Sequence, residues 1–348
     1  VIAWLVGLLQ GEDGVLRNAS ARLVTAIGVD TWDDVLARME QVADRARLGR
    51  LLAEVGDPRP GVGTILRSGQ KLPDIVWGGE VPAGRYTIGG DAHAGEARKQ
   101  VPIKQPYRLA RYPVTYVQFQ CFVDALDFDD ERWWVGMPAE VKGFWAPIYP
   151  LREMAEQRFP FANHPRENVS WYQAMAFCRW LTARLHAGEL PAGELTGDVG
   201  QYEITLPHEY EWEVAARWLN SDVFDRLYPW GPEFDAAKAN TAEGGIRQTT
   251  AVGIYPAGQN ATLGLYDLSG NVWEWCRNKY KDPDDEAVDG SNAWRVLRGG
   301  SWGYGADDAR AAYRDGNNPA ARSGISGFRL VVVGGGGASS PISIDILW

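Results

Sequence analysis

Sixteen tryptophans share this chain with forty glycines, and that pairing constrains the fold more than any other feature. Glycine ends regular elements and opens turns, whereas tryptophan is a large, rigid anchor for a core. A chain rich in both is expected to consist of short elements and many turns held on aromatic anchors, not a helical bundle. Its 348 residues leave room for one large domain, or a large one with a small one.

A formal charge of -10 argues against non-specific binding to nucleic acid or to an anionic membrane. The three cysteines, Cys121, Cys178 and Cys276, are odd in number and far apart, so they form neither a disulfide framework nor a metal knuckle. A reducing cytoplasm is the simplest expectation. The opening "VIAWLVGLLQ" is shorter than the ~20 apolar residues of a membrane span and has no basic leader, and it reads as a buried helix. The chain opens on Val1 rather than Met, leaving what precedes it open.

Two regimes follow. Residues from about Asn18 to Val55 are helical in pattern, with a start signal at Asp30 or Thr31 and a stop at Gly56; "GDPRPGVG" then breaks the helix. Beyond Ile75, short apolar runs alternate with turns around two helices. One runs from Ser170, its cap, to Leu185; the other from Pro207 to Leu219, with proline in its first turn. The expected class is α+β with many irregular loops. "GGGG" at 334–337 reads as a loop or linker.

The blocks "VPAGRYTIGG", "RYPVTYVQFQCFV", "ENVSWYQAMAFCRWL", "EITLPHEYEWEVAARW", "YPWG", "GLYDLSGNVWEW", "RVLRGGSW" and "GFRLV" occur in that order. In content and order they resemble the formylglycine-generating-enzyme (sulfatase-modifying factor) domain, over about Ile75 to Val333. The resemblance implies a C-type lectin-like fold, with residues 1–74 as a helical segment and linker and 75–348 as the domain. "Lectin" here names a fold and implies no sugar.

Enzymes of that family hold copper on a cysteine pair after "GGS", a soft donor set suited to Cu(I). No cysteine follows Cys276, and Ala306 to Ala311 hold only Ala, Asp and Arg. A sulfoxide-forming branch needs clustered histidines, but His93, His164, His186 and His208 stand apart in sequence. His208 reads as a surface or capping residue and His164 as a structural loop residue. No catalytic residue and no catalytic cofactor is expected; the rival reading is a metal-dependent oxidase or sulfoxide-forming enzyme.

The resemblance also implies a calcium cradle in "GLYDLSGNVWEW", with side-chain oxygens from Asp267 and Glu274 and carbonyls from Gly270 and Val272. Hard cations favour such oxygens. The same residues also read as a tight turn capped by Asp267, with Glu274 paired to an arginine. Any cation here would be structural.

The last long segment, 303–326, is built mostly of Gly, Ala, Ser, Asp and Asn and contains no Lys, Glu, Gln, Met or Trp. Those five are what an Asn codon cannot yield when its adenines are replaced by any base. Variable proteins of diversity-generating retroelements change in this way, and they resemble this domain with variable sites here, so 302–329 is the candidate variable region. Trp302, Arg310, Arg314, Pro319, Arg322, Gly327, Phe328 and Arg329 match the family's fixed pattern, with Arg310, Arg314 and Arg322 expected to hold the loops. The expected ligand contacts are Gly303, Tyr304, Gly305, Asp307, Asp308, Tyr313, Asp315, Gly316, Asn317, Ser323, Gly324, Ile325 and Ser326, on an exposed surface between strands "RVLRGG" and "GFRLVVV". Small adaptable residues with tyrosine suit recognition, and the expected partner is a protein. The other reading of the segment is plain loop.

Overall fold

The computed structural model describes residues 30–39, 41–95, 97–142, 148–218 and 226–334, with positions 14, 15, 19 and 22. The opening decapeptide, the end of the expected helix at Leu219 and 335–337 of the glycine run lie outside the described residues.

In chain order the elements are helices α1 (Asp30–Arg38) and α2 (Val42–Val55), strands β1 (Thr64–Arg67), β2 (Gln70–Pro73), β3 (Gly84–Ile88), β4 (Lys99–Ile103) and β5 (Tyr107–Leu109), helices α3 (Tyr116–Val123) and α4 (Glu131–Trp134), then β6 (Glu140–Lys142) and β7 (Ile148–Pro150). There follow α5 (Trp171–His186), β8 (Tyr202–Thr205), α6 (Glu209–Ala216), β9 (Trp273–Lys279), β10 (Arg295–Arg298), β11 (Arg314–Asn317), β12 (Ser326–Gly327) and β13 (Val331–Gly334).

The N-terminal helical pattern divides in two. Gln41 is extended (φ -83°, ψ 123°) and caps α2, and Arg45 closes the break by donating from Nε to the Met39 carbonyl at 2.8 Å. Gly56 ends α2 at φ 91°, as its sequence position foretells. The helices rest on the body of the fold: Trp32, Val35, Leu36, Leu48 and Leu52 share a core with Ala251, Ile254 and Tyr255. A buried pair behind them, Arg59 and Asp57 (2.6 Å), also reaches the Val252 carbonyl (2.7 Å) and Asn163 (2.8 Å).

Ser170 caps α5 through a reciprocal box with Gln173, and the helix buries eleven residues. The expected proline start of the next helix gives way to a different device. Pro207 precedes the helix, and His208 is its cap, accepting from the Tyr210 amide at Nδ1 (3.0 Å) while Glu211 returns the bond. His208 is buried, with Nε2 on the Pro283 carbonyl (2.9 Å), so it caps but does not lie on the surface.

Four strands in the order β11-β10-β9-β12 form one sheet, with β12 parallel to β9, and β5-β13-β8 form another. The tryptophans anchor them. Trp171 donates from its indole to the Cys276 carbonyl (2.9 Å), Trp275 to Val169 (3.1 Å) and Trp212 to Glu274 (2.7 Å). Each is fully buried yet keeps its one polar atom satisfied. Burying ~200 Å² per indole contributes ~5 kcal/mol, about what ordering three residues costs at ~1.5 kcal/mol each. That balance is why a loop-rich chain needs so many tryptophans. Among the described residues no helix is long and apolar enough to cross a membrane.

Candidate functional site

The Gly/Ala-rich segment is held by its frame, not by a core of its own. Trp302 donates from its backbone to the Asn271 carbonyl (3.1 Å), and the Tyr304 carbonyl accepts from Ala242 (2.9 Å). Glu243 accepts from the Ala306 amide (2.8 Å), Ser269 donates to the Ala309 carbonyl (2.7 Å) and Tyr228 to that of Ala306 (3.1 Å). The arginines complete the support. Arg310 bonds Asp91 (3.2 Å) and Asp307 (3.1 Å); Arg314 grips Glu209 through two bonds (2.7 and 2.8 Å); Arg322 reaches the Glu153 carbonyl (2.9 Å) over the Tyr149 ring. Planar guanidinium forks suit this double duty toward carboxylates and carbonyls.

The expected contact residues fall into three groups. Gly303, Tyr304 and Asp307 are exposed. Gly305, Asp308, Tyr313, Asp315, Asn317, Ser323, Gly324 and Ile325 are half-buried. Gly316 and Ser326 are buried, Ser326 at 3% exposure, which corrects their assignment as displayed residues. The cause lies in the sheet: Arg314–Asn317 is not loop but β11, pairing Gly316 with Val296 of β10, and Ser326 pairs with Trp273 of β9. A side chain on Gly316 would begin 2.6 Å from the Tyr280 ring. The segment "GFRLVVV" is likewise not one strand, since β12 and β13 belong to different sheets.

Tyr304 and Tyr313 flank the buried Trp273, with ring centroids at 5.6 and 6.0 Å. Tyr313 and Asp308 act on each other electrostatically, and burial pushes the Asp308 carboxyl up. Beside them the loop 323–325 is pinned by three donors: Asn168 to the Ser323 carbonyl (3.0 Å), the Trp302 indole to Gly324 (2.9 Å) and Trp273 to Ile325 (2.8 Å). Phe159 meets Trp302 edge to face at 5.8 Å, and Arg158 lies over both rings. Glu167, fully buried, accepts from the Phe159 amide (2.8 Å). Arg158, Phe159, Glu167 and Glu243 were missed from sequence. Only Glu167 carried a signal there, as an acid directly ahead of the capped apolar run "NVSW".

The three cysteines are buried, and three of the four histidines are hydrogen-bonded. Burial raises the thiols, Cys121 to about 12 and Cys178 and Cys276 well above the ordinary thiol value. His164 Nδ1 is bonded to Thr249 (2.9 Å), His186 Nε2 to the Tyr202 carbonyl (2.7 Å), and both His208 nitrogens are engaged. Among the described residues no group of three or more His, Cys, Asp or Glu side chains could hold a metal. A cleft of about 1020 Å³ beside β8 and α5 takes none of its lining from 302–326, and its Arg277 is already bound to Glu211 (2.5 Å).

The residues of the expected cation cradle do not fit a cation. Both Glu274 oxygens are spent on Arg329 (2.7 and 3.0 Å) and the Trp212 indole, so a guanidinium already balances that charge. Asp267 closes the turn by accepting from the Gly253 amide (2.6 Å), and burial raises its carboxyl to about 6. Gly270 (φ 78°) lets the backbone approach Asn240, whose carbonyl oxygen would lie 2.3 Å from any added Cβ, and Val272 is buried. This is the capped turn with an arginine-paired glutamate that the same sequence also allowed.

Comparison with known proteins agrees with this architecture. The family model described as "Sulfatase-modifying factor enzyme 1-like domain" matches residues 66–333. Hercynine oxygenase from Mycolicibacterium thermoresistibile is 29% identical over 323 residues, covering 84% of this chain; the chain spans 66% of that enzyme's length. "Inactive C-alpha-formylglycine-generating enzyme 2" from Bos taurus is 30% identical over 302 residues, 72% of this chain and 86% of the bovine one. Among solved structures, Treponema denticola variable protein 1 superposes with a TM-score of 0.50 at 22% identity, over 77% of this chain and 97% of that one, and shares the fold. With a C-type lectin-like α+β fold and a family match across 66–333, this chain belongs to the sulfatase-modifying factor enzyme 1-like domain family.

Proposed function

We propose that the chain is a non-catalytic ligand-binding protein, of the variable-protein type diversified by a retroelement, that recognises a protein through the surface around 303–308 and 323–325. One observation carries the reading: the main chain of this surface is held largely by residues outside it, while Gly303, Tyr304 and Asp307 are exposed, with one ring contact from Tyr304 to Trp273 and one ion pair from Asp307 to Arg310. Exposed positions accept substitution at ~0.5 kcal/mol or less, rising to ~0.5–1.5 kcal/mol where the Tyr304 ring contact is lost. The absence of Lys, Glu, Gln, Met and Trp from 303–326 supports adenine-directed change.

The test is a display library randomised at Gly303, Tyr304, Gly305 and Asp307 and selected against a panel of folded proteins. Binders that keep the parental melting temperature are expected; a library that mostly unfolds overturns the reading. In the encoding DNA, a near-copy of the 3′ end differing only at adenines, beside a reverse-transcriptase gene, is expected.

The likeness to hercynine oxygenase over 84% of the chain favours a second reading, a metal-dependent oxidase or sulfoxide-forming enzyme. A stoichiometric redox metal in the purified protein would decide for it.

A further inference from the structure

Under the loop 323–325 lies a carboxylate that the fold leaves half used. Glu167 is fully buried, with Oε1 accepting from the Phe159 amide, while Oε2 has no hydrogen-bond partner. Leaving a buried acceptor unpaired is costly, so such an atom calls for an explanation. The free oxygen points outward: a Cβ built on Gly324 would lie 2.7 Å from it and 2.9 Å from Cδ of Arg158. One glycine and one aliphatic stem therefore separate this acceptor from the surface.

The head of Arg158 is turned elsewhere. Its guanidinium is centred 5.2 Å from the Phe159 ring and 5.4 Å from the Trp302 ring, and the residue is exposed. A cation over two aromatic faces, next to a desolvated carboxylate with a vacant oxygen, is the arrangement that binds a guanidinium or ammonium group. Here the chain's own guanidinium sits on the aromatic half, and its charge reaches Glu167 without an ion pair between them.

Resting on the reading that this surface meets a protein, we propose that Arg158 is a replaceable occupant of a cation seat. A lysine or arginine side chain of the ligand takes its place on Phe159 and Trp302 and is received by Oε2 of Glu167. The seat belongs to the frame, not to the diversified positions, so it supplies one constant contact whatever Tyr304 and Asp307 become. Gly324 stays glycine in this scheme because any side chain there would cover the acceptor.

The seat is testable without a protein ligand. The probe is N-acetyl-L-arginine amide, titrated into the full chain while the Trp302 indole N–H and the Glu167 carboxyl carbon are followed by NMR. Arg158→Ala is expected to bind the probe saturably and more tightly than the parent, whose own arginine competes. Adding Glu167→Gln is expected to weaken that binding by about tenfold or more, the loss of a charge-assisted bond. No saturable shift at Trp302 in the folded Arg158→Ala variant, or binding that survives Glu167→Gln unchanged, would overturn the proposal. If Arg158→Ala lowers the melting temperature, Arg158→Met keeps the stem over Glu167 and answers the same question. Neither Tyr304 nor Asp307 enters the measurement, so a failure of protein capture and a failure of the seat are separate results.

Discussion

The ring of Tyr304 stands edge-on to the indole of Trp273 at 5.6 Å and 81°, and Trp273 is fully buried while Tyr304 is 39% exposed. Framework and display meet at that contact. Tyr304 loses one edge-to-face contact when truncated, ~0.5–1.5 kcal/mol. Tyr313, half-buried and interacting electrostatically with Asp308, loses more. Urea melts of the two alanine variants should therefore separate, with Tyr304→Ala within about 1.5 kcal/mol of the parent and Tyr313→Ala costing about 2–3 kcal/mol. A Tyr304→Ala loss as large as that of Tyr313→Ala would place Tyr304 in the core.

Two glycines of the same segment should respond in opposite ways. An added Cβ at Gly303 would meet only Ile325 Cγ2, at an ordinary 3.8 Å, whereas at Gly316 it would meet Tyr280 Cδ2 at 2.6 Å and Cγ at 2.8 Å. The Tyr280 ring cannot readily retreat, because the Arg314 guanidinium lies over it at 4.3 Å while gripping Glu209. Gly303→Ala should be neutral, and Gly316→Ala should cost ~1–3 kcal/mol as overpacking. Thermal melts of the pair check this, and near-equal melting temperatures would show that β11 yields.

Much of this was readable in the chain and some was not, for physical reasons. The Ser170 box with Gln173 is local, so its sequence declares it. The His208 cap is also local, but histidine seldom caps, and Pro207 pointed to a start one step earlier. Strand β11, "RDGN", has almost no β-forming residues and exists because Arg295–Arg298 lies beside it, a tertiary effect that propensity cannot report. Burial of Gly316 follows from that pairing, and burial of Ser326 from its own pairing with Trp273 of β9. Arg158, Phe159 and Glu243 reach the surface from segments 63 to 144 residues away from the residues they touch, and no short-range pattern marks such neighbours. The cation cradle was legible only as two alternatives, and the position of Arg329 decides between them.

That arginine supplies the third prediction. The pair with Glu274 is fully buried, and Arg329 also donates to the carbonyls of Ala110 (2.9 Å) and Tyr266 (2.7 Å). Arg329→Ala strands a buried carboxylate and should cost ~3–5 kcal/mol. Calcium bound at this turn at ~100 times its dissociation constant would add ~2.7 kcal/mol to stability. Thermal melts in calcium and in a chelator should instead coincide for the parent chain. A calcium-dependent rise would restore the cradle.

The last prediction concerns pH and the Glu167 carboxyl, raised by burial to about 7 against its ordinary 4.5, with Arg158 and Arg166 the cations that oppose the rise. Arg166 is itself lowered to about 10 by burial and is turned toward Gln157 and the Ala155 carbonyl (2.8 Å), which limits what it can offset. A carboxyl whose folded value lies above its unfolded one favours the native state most when protonated. Its contribution is complete below about pH 4.5 and is lost as pH climbs through about 7. Above that the parent chain holds a buried charge that its neighbours only partly offset, and Glu167→Gln removes it. The variant should therefore be more stable than the parent at pH 8, by ~1–3 kcal/mol, with the gain shrinking to about a quarter of that by pH 5. Urea melts of both chains at the two pH values measure it. No gain at pH 8 relative to pH 5 would mean that Glu167 is ionised and already satisfied in the folded protein, and its outward oxygen would then have no deficit for a ligand's cation to fill.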